Sequence, residues 1–423
     1  MIDLGHLLLQ LVVILVAARL TGRAIQYIGQ PPVIGEMVAG LALGPSFLGA
    51  VSPATLDYLF PPDSLAPLSA LSQLGVLLFM FVVGLRLDTA LLRSKARTAV
   101  ATSYASIVAP FAMGAAVAPW LHETLAPPGV ALLPFTLFLG AAMSVTAFPV
   151  LARILTDRGL LQTRVGSVAI ASAAVDDVTA WCILAGVVAV ARAGVTGTSL
   201  AGRAFIVTIL GSAAYVMLIA TAGRRLLADF ARKRGGLRMT PQFVSAAVIL
   251  ALASAWVTER LGIHALFGAF LAGVIMPRSP DDGRLAMATE VADRVEDVVG
   301  AVLLPVFFAI TGLRTSITHI AEPGLLGVFA LILLIAITGK LGGSSIAARL
   351  TGMSWREALA IGALMNTRGL MELVILNVGL DIGVISPTLF AMMVLMALVT
   401  TAMTSPLLVV LRQHQPSAEP VRN

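Results

Sequence analysis

Apolar residues in this chain come in long blocks, and polar positions gather in short stretches between them. The Leu-, Val- and Ala-rich blocks run to roughly 17–25 residues, each long enough to cross a hydrocarbon core of about 30 Å. The pattern predicts about thirteen spans, with cores near 6–24, 32–48, 68–85, 98–119, 131–152, 166–190, 204–222, 240–258, 262–276, 297–313, 323–347, 357–379 and 387–411. Composition agrees: 58% of residues are hydrophobic, 12% are charged and the mean hydropathy is +0.96. Soluble domains carry about twice that charged fraction. The expected class is an all-α polytopic membrane protein. A single cysteine, Cys182, excludes a disulfide framework. The N-terminus lacks the basic n-region of a cleaved signal, since Arg19 and Arg23 follow the first apolar run.

Charge gives the threading. Loops after odd-numbered spans, with the C-terminal tail, hold 22 Lys and Arg, whereas loops on the other side hold 4. Basic loops stay in the cytoplasm, so the N-terminus is expected outside and the C-terminus inside, in a cell inner membrane. The net charge of +6 follows from this asymmetry and does not call for nucleic acid as a partner.

Six charged residues remain inside the spans: Glu36, Asp176, Asp177, Lys340, Arg368 and Glu372. Asp176 and Asp177 are the most telling. They lie midway along an uncharged interval from Arg164 to Arg192, which as a helix is ~40 Å long. One carboxylate at the bilayer midplane costs ~3 kcal/mol or more, so two adjacent ones point to function.

Weak internal repeats locate a second feature. I34-G-E-M-V-A-G-L41 in span 2 reads like F267-G-A-F-L-A-G-V274 in span 9; V83-G-L-R86 matches T311-G-L-R314; G140-A-A-M-S-V-T146 resembles G362-A-L-M-N-T-R368. Each pair joins a span to the one seven later, so the copies cross in opposite directions, as in the inverted repeats of secondary transporters. Spans 5 and 12 are the expected crossed, broken helices: Pro149 interrupts one, and Asn366, Thr367 and Arg368 make the other polar at its middle.

Taken together, SVTAFPVLARIL (144–155), AAVDDVTAW (173–181), GIHALFGAFLAGVIMP (262–277), LLPVFFAITGLRT (303–315) and ALMNTRGLMELVIL (363–376) resemble the monovalent cation:proton antiporter-2 family, its plant cation/proton exchangers and bacterial relatives in particular. The resemblance covers nearly all spans. It implies a homodimer with a dimerisation domain (1–97 and 240–322) and a mobile core (98–191 and 323–411), joined by a linker span and basic loop (192–239) and ending in a short tail (412–423). By the same resemblance Asp177 is the obligatory cation- and proton-carrying residue. Asp176 stands where plant-type members have Asn, Lys340 where electrogenic members place a lysine, and Thr146, with Ser144 beside it, where a hydroxyl lies near the ion. Some relatives add a cytoplasmic nucleotide-binding domain, which the residues after span 13 do not supply.

The chemistry follows. A carboxylate accepts a proton or binds a hard monovalent cation, and one site doing both makes the two loads exclude each other. The substrates are then Na⁺ or K⁺ and H⁺, with no cofactor. Lys340 pairs with Asp176 in the cation-free state, or else snorkels, although Arg349 is ~13 Å further along the helix. Arg368 and Glu372 are spaced i,i+4 and pair with each other, or Arg368 neutralises helix ends at the crossing. Glu36 is interfacial or bonded to the core, and His264 is structural or a pH sensor. A gated cation channel is the alternative, though one midplane site of two acids and a lysine favours exclusive occupancy over conduction. An intramembrane aspartyl hydrolase is the third class and is disfavoured, because adjacent Asp side chains diverge by ~100° on a helix and no second intramembrane Asp lies on another span.

Overall fold

The computed structural model describes residues 3–86, 96–160, 163–195, 211, 214–215, 217–223, 241–261, 265–276, 284–317, 320, 322 and 324–412. Predicted span 7, the loop after it and His264 lie largely or wholly outside these residues. Among the described residues the regular structure is all helical. Among the described residues nine helices are long and apolar enough to cross a membrane, or ten with one bent pair counted as a span.

In chain order the helices are α1 (Leu4–Tyr27), α2 (Pro32–Leu43), α3 (Leu48–Val51), α4 (Pro53–Leu59), α5 (Leu65–Arg86), α6 (Ala96–Leu125), α7 (Leu132–Ser144), α8 (Phe148–Asp157), α9 (Arg164–Val195), α10 (Pro241–Arg260), α11 (Ala265–Val274), α12 (Arg284–Val298), α13 (Leu304–Leu313), α14 (Leu325–Ile337), α15 (Gly343–Leu350), α16 (Trp355–Met365), α17 (Leu370–Asp381) and α18 (Pro387–Arg412). Two π-helical turns, Val299–Leu303 and Thr338–Gly342, join α12 to α13 and α14 to α15.

The apolar pattern missed two segments. Short helices α3 and α4 fill the stretch between spans 2 and 3, where Pro53 sits at the first position of α4 and suits a helix start. Span 10 is also longer than its apolar core, because α12 begins at Arg284 and carries Glu290, Asp293, Arg294 and Glu296. Those charges support the helix from outside the apolar core: Arg294 pairs with Glu290 one turn away at 2.7 Å, and Arg86 at the end of α5 pairs with Asp293 at 2.7 Å and with Glu296.

The residues fall into two compact units. The first comprises Met1–Ala18, Ala39–Asp88 and Trp181–Arg314. Its core gathers Ile14, Phe60, Leu68, Val306, Ala309 and Ile310. Glycines let its helices touch along the backbone. A Cβ on Gly40 or Gly312 would collide with the facing backbone between α2 and α13, and one on Gly84 or Gly273 would do the same between α5 and α11.

The second unit comprises Arg19–Val38, Thr89–Ala180 and Thr315–Asn423. Leu151, Leu155, Ala169, Ala173, Ile361 and Leu364 are among its buried core residues. Here the turn after α14 lies against α6: a Cβ on Gly339 would press on Pro110, and one on Gly343 on Ala105 and Ala109. That close approach brings Lys340, at the middle of the π turn, to the level of Ser106.

Candidate functional site

Two helices of the second unit break at the same depth. α7 ends at Ser144, Val145 is extended (φ −77°, ψ 140°), and α8 begins at Phe148. α16 ends at Met365 and α17 starts at Leu370, the two pieces bent by 42°. Gly369 takes φ 156° and ψ −130°, a region that glycine alone occupies readily. Interrupting a helix in an apolar setting leaves amides and carbonyls without partners, and each break here is satisfied by the other. The Ala147 amide donates to the Thr367 carbonyl at 2.9 Å. Thr146 Oγ1 lies 3.1 Å from the Met365 carbonyl, while Arg368 donates to the carbonyls of Met143 (2.6 Å) and Ala142 (3.2 Å).

Arg368 is fully buried and also bonds Glu372 at 2.6 Å. Its backbone is held by α18, where Thr401 accepts from the Arg368 amide at 2.9 Å and donates to its carbonyl at 2.5 Å. Thr367 and Thr404 hydroxyls meet at 3.2 Å. The positive arginine therefore sits where α7 exposes its C-terminal carbonyls, the negative end of that helix.

Against the first break lies a dense polar cluster around Asp176 on α9. Its Oδ1 accepts from Ser103 (2.7 Å) and Ser106 (2.9 Å), both on α6. Its Oδ2 accepts from Ser106 (2.7 Å), Thr146 (2.6 Å) and the Lys340 ammonium (3.0 Å). Lys340 Nζ also donates to Thr146 at 2.5 Å and reaches Ser106 at 3.3 Å. A hydroxyl has one proton to give, so Thr146 shares its proton between Asp176 and the Met365 carbonyl while accepting from Lys340. Lys340 is fully buried and ion-paired, so it does not snorkel.

Asp177 is the opposite case. It is 2% exposed, and neither carboxylate oxygen has a hydrogen-bond partner. Asp176, Lys340 and the Phe148 amide at the start of α8 act on its charge. An unpaired buried anion is costly, and a proton or a bound cation removes the cost.

The transmembrane sodium/hydrogen exchanger model matches residues 11–410. The chain belongs to that family. It is 43% identical over 405 residues to the Na⁺/H⁺ antiporter NhaS4 of Synechocystis, covering 95% of this chain and 96% of the relative. Cation/H⁺ antiporter 19 of Arabidopsis thaliana is 38% identical over 418 residues, covering 99% of this chain but 51% of the relative, so the chain spans about half of that protein. The fold matches the sodium proton antiporter MjNhaP1 of Methanocaldococcus jannaschii with a TM-score of 0.67 at 15% identity, over 95% of this chain and 98% of that one. These matches bear out the family resemblance carried by the sequence motifs.

In this family member, Asp176, Asp177, Thr146 and Lys340 come together, and Arg368 with Glu372 stands at the neighbouring break. Ser144 bonds the carbonyls of Gly140 (2.6 Å) and Ile107 (3.0 Å), which steadies the end of α7. Asn366 is fully buried, with neither amide atom partnered. Glu36 is half-buried on α2, with Arg19 the positive charge acting on it. Sequence reasoning overlooked Ser103, Ser106, Thr401 and Thr404. Their signal was present as hydroxyls at helical spacing, S103-Y-A-S106 and T401-A-M-T404, within apolar spans.

Proposed function

We propose that the protein is a secondary antiporter exchanging Na⁺ or K⁺ for H⁺ by alternating access, with both loads carried at Asp177. The observation that carries this reading is the contrast between two adjacent buried carboxylates: Asp176 saturated with side-chain donors, Asp177 with no side-chain donor. In the unloaded site Lys340 neutralises Asp176, and Asp177 holds a proton. An arriving cation takes the Asp177 carboxylate, with Asp176, Thr146 and the carbonyls exposed at the breaks as further oxygen ligands. Its charge competes with the Lys340 ammonium for Asp176. Proton and cation therefore exclude each other at one place, which is what exchange requires.

Relatives named as Na⁺/H⁺ and cation/H⁺ antiporters support the substrate class. The finer architecture belongs to the same proposal: thirteen spans in two inverted repeats, a homodimer formed through 1–97 and 240–322, a mobile core of 98–191 and 323–411, and a cytoplasmic C-terminus in the inner membrane. Contact symmetry supports the repeats. The pair Gly40 and Gly312 becomes Gly273 and Gly84 when each residue is replaced by its repeat equivalent, and both pairs are sites of close backbone approach. Likewise Thr146 reaches the Met365 carbonyl, while its equivalent Arg368 reaches the carbonyl of Met143, the equivalent of Met365.

The test is dye-reported proton movement in reconstituted vesicles, with Na⁺, K⁺ and Li⁺ added separately. Asp177→Asn keeps the shape and removes the titration, so exchange should vanish while folding is retained. Substantial residual exchange in that variant would move the transported ion to another residue.

A further inference from the structure

Two clefts meet at Arg158 on one end of the second unit. One, of about 430 Å³, is lined by Gln26, Gln30, Arg153, Arg158 and Ser405 among others. The other, of about 260 Å³, carries on past Arg158 along Leu160, Val165, Ala360, Leu408 and Leu411, with Arg356 also in its wall. The first is polar and basic, the second mainly apolar. Among the described residues the one acid lining them, Glu357, is already engaged: it accepts from the Ser354 amide at 2.9 Å in a helix cap and lies 3.7 Å from Arg164. Arg158 is anchored, reaching the Gly29 carbonyl at 3.5 Å.

Aromatic residues mark the depth. Tyr27, next to Gln26, is 92% exposed, and Trp355, next to Arg356, is 56% exposed with the Arg349 guanidinium 5.7 Å from its ring. Exposed Tyr and Trp beside arginines are the signature of the headgroup layer. These arginines all belong to the set that the charge count assigns to the cytoplasmic side, where anionic lipids give the surface its negative potential.

We propose that this end of the unit seats one anionic phospholipid, its phosphate between Arg153 and Arg158 and an acyl chain along the Leu160–Leu408 groove. Guanidinium groups match phosphate oxygens in charge and geometry, and the apolar groove gives a hydrocarbon tail a place that a free phosphate would leave unused. The seat joins the ends of α8 and α16, which each border a break, with that of α18, which bonds Arg368 and Thr367, so occupancy would brace the candidate site from its cytoplasmic edge.

Native mass spectrometry and thermal melting of the purified full chain test this, with phosphatidylglycerol, phosphatidylcholine or inorganic phosphate added in separate arms. The expected result is retention of phosphatidylglycerol and a higher melting temperature in that arm alone. Arg153→Gln, on an exposed side chain, should weaken the binding about fivefold, one arginine's share near an anionic surface, and Arg153→Gln with Arg158→Gln by more. Equal binding of phosphatidylcholine would overturn the proposal, as would inorganic phosphate reproducing the shift or Arg153→Gln binding as the parent does. Because the readout is binding, it stands apart from whether the chain exchanges ions.

Discussion

Asp176 and Asp177 differ by one position on α9, yet a helix turns ~100° between them, and that rotation gives one four side-chain donors and the other no side-chain donor. Ser106 gives Asp176 its most central contact, lying within reach of both carboxylate oxygens and of Lys340. Ser106→Ala should cost about 1–3 kcal/mol of stability, because it strips a buried charged group of a partner. The same variant should raise the cation concentration needed for half-maximal exchange while leaving measurable turnover; a melting temperature equal to that of the parent would refute the bond. Asp176→Asn should be milder in exchange assays than Asp177→Asn, since three hydroxyls still orient the amide. The charged members of this cluster were legible in the sequence because an acid or a lysine in an apolar block is costly and stands out. The serines were not, because a hydroxyl costs little in a helix, where it can bond its own preceding turn.

Helices carry the next level of information in their interruptions and their smallest residues. Gly369 permits the reversal from α16 to α17, and a side chain there meets both an unfavourable φ of 156° and Val150 at 3.1 Å. Gly369→Ala should lower thermal stability by about 1–3 kcal/mol and slow exchange, measured on the same preparation. At the other unit, Gly312→Leu should abolish monodisperse protein, and its repeat equivalent Gly84→Leu should do the same; a tolerated substitution at either would mean that the helices stand further apart. Pro149 and the polar run Asn366–Arg368 marked both breaks in the sequence, because proline and polar residues are the physical causes of interruption. The π turn at Thr338–Gly342 left no such mark. It lies where Gly339 and Gly343 meet α6, a contact which the sequence of α14 and α15 alone does not contain. Likewise α12 extends beyond its apolar core, where Asp293 pairs with Arg86, 207 residues away in sequence and invisible to any local pattern.

For the molecule as a whole, charge balance decides how it responds to voltage. If the cation displaces Lys340 from Asp176 and the freed lysine gives up its proton along with the Asp177 proton, two protons return per cation and one net charge crosses in each turnover. Each 100 mV would then contribute ~2.3 kcal/mol. Vesicles clamped at different potassium diffusion potentials, with Na⁺ as the test cation, should show a rate and end-point that follow the potential in the parent and ignore it in Lys340→Gln. Topology is tested separately, by placing a cysteine at position 420 in a Cys182→Ser background. An impermeant reagent should label it only after the cells are opened.

The Asp176–Lys340 bond also bears on how the chain is made. Its two ends are 164 residues apart, so a ribosome adding 5–20 residues per second delivers the lysine roughly 8–30 s after the acid. During that interval α9 enters the bilayer without its counter-charge. Ser103, Ser106 and Thr146 all precede Asp176 in the chain and are already synthesised when it emerges. The hydroxyls that clamp this carboxylate are thus available to it before its counter-charge is synthesised.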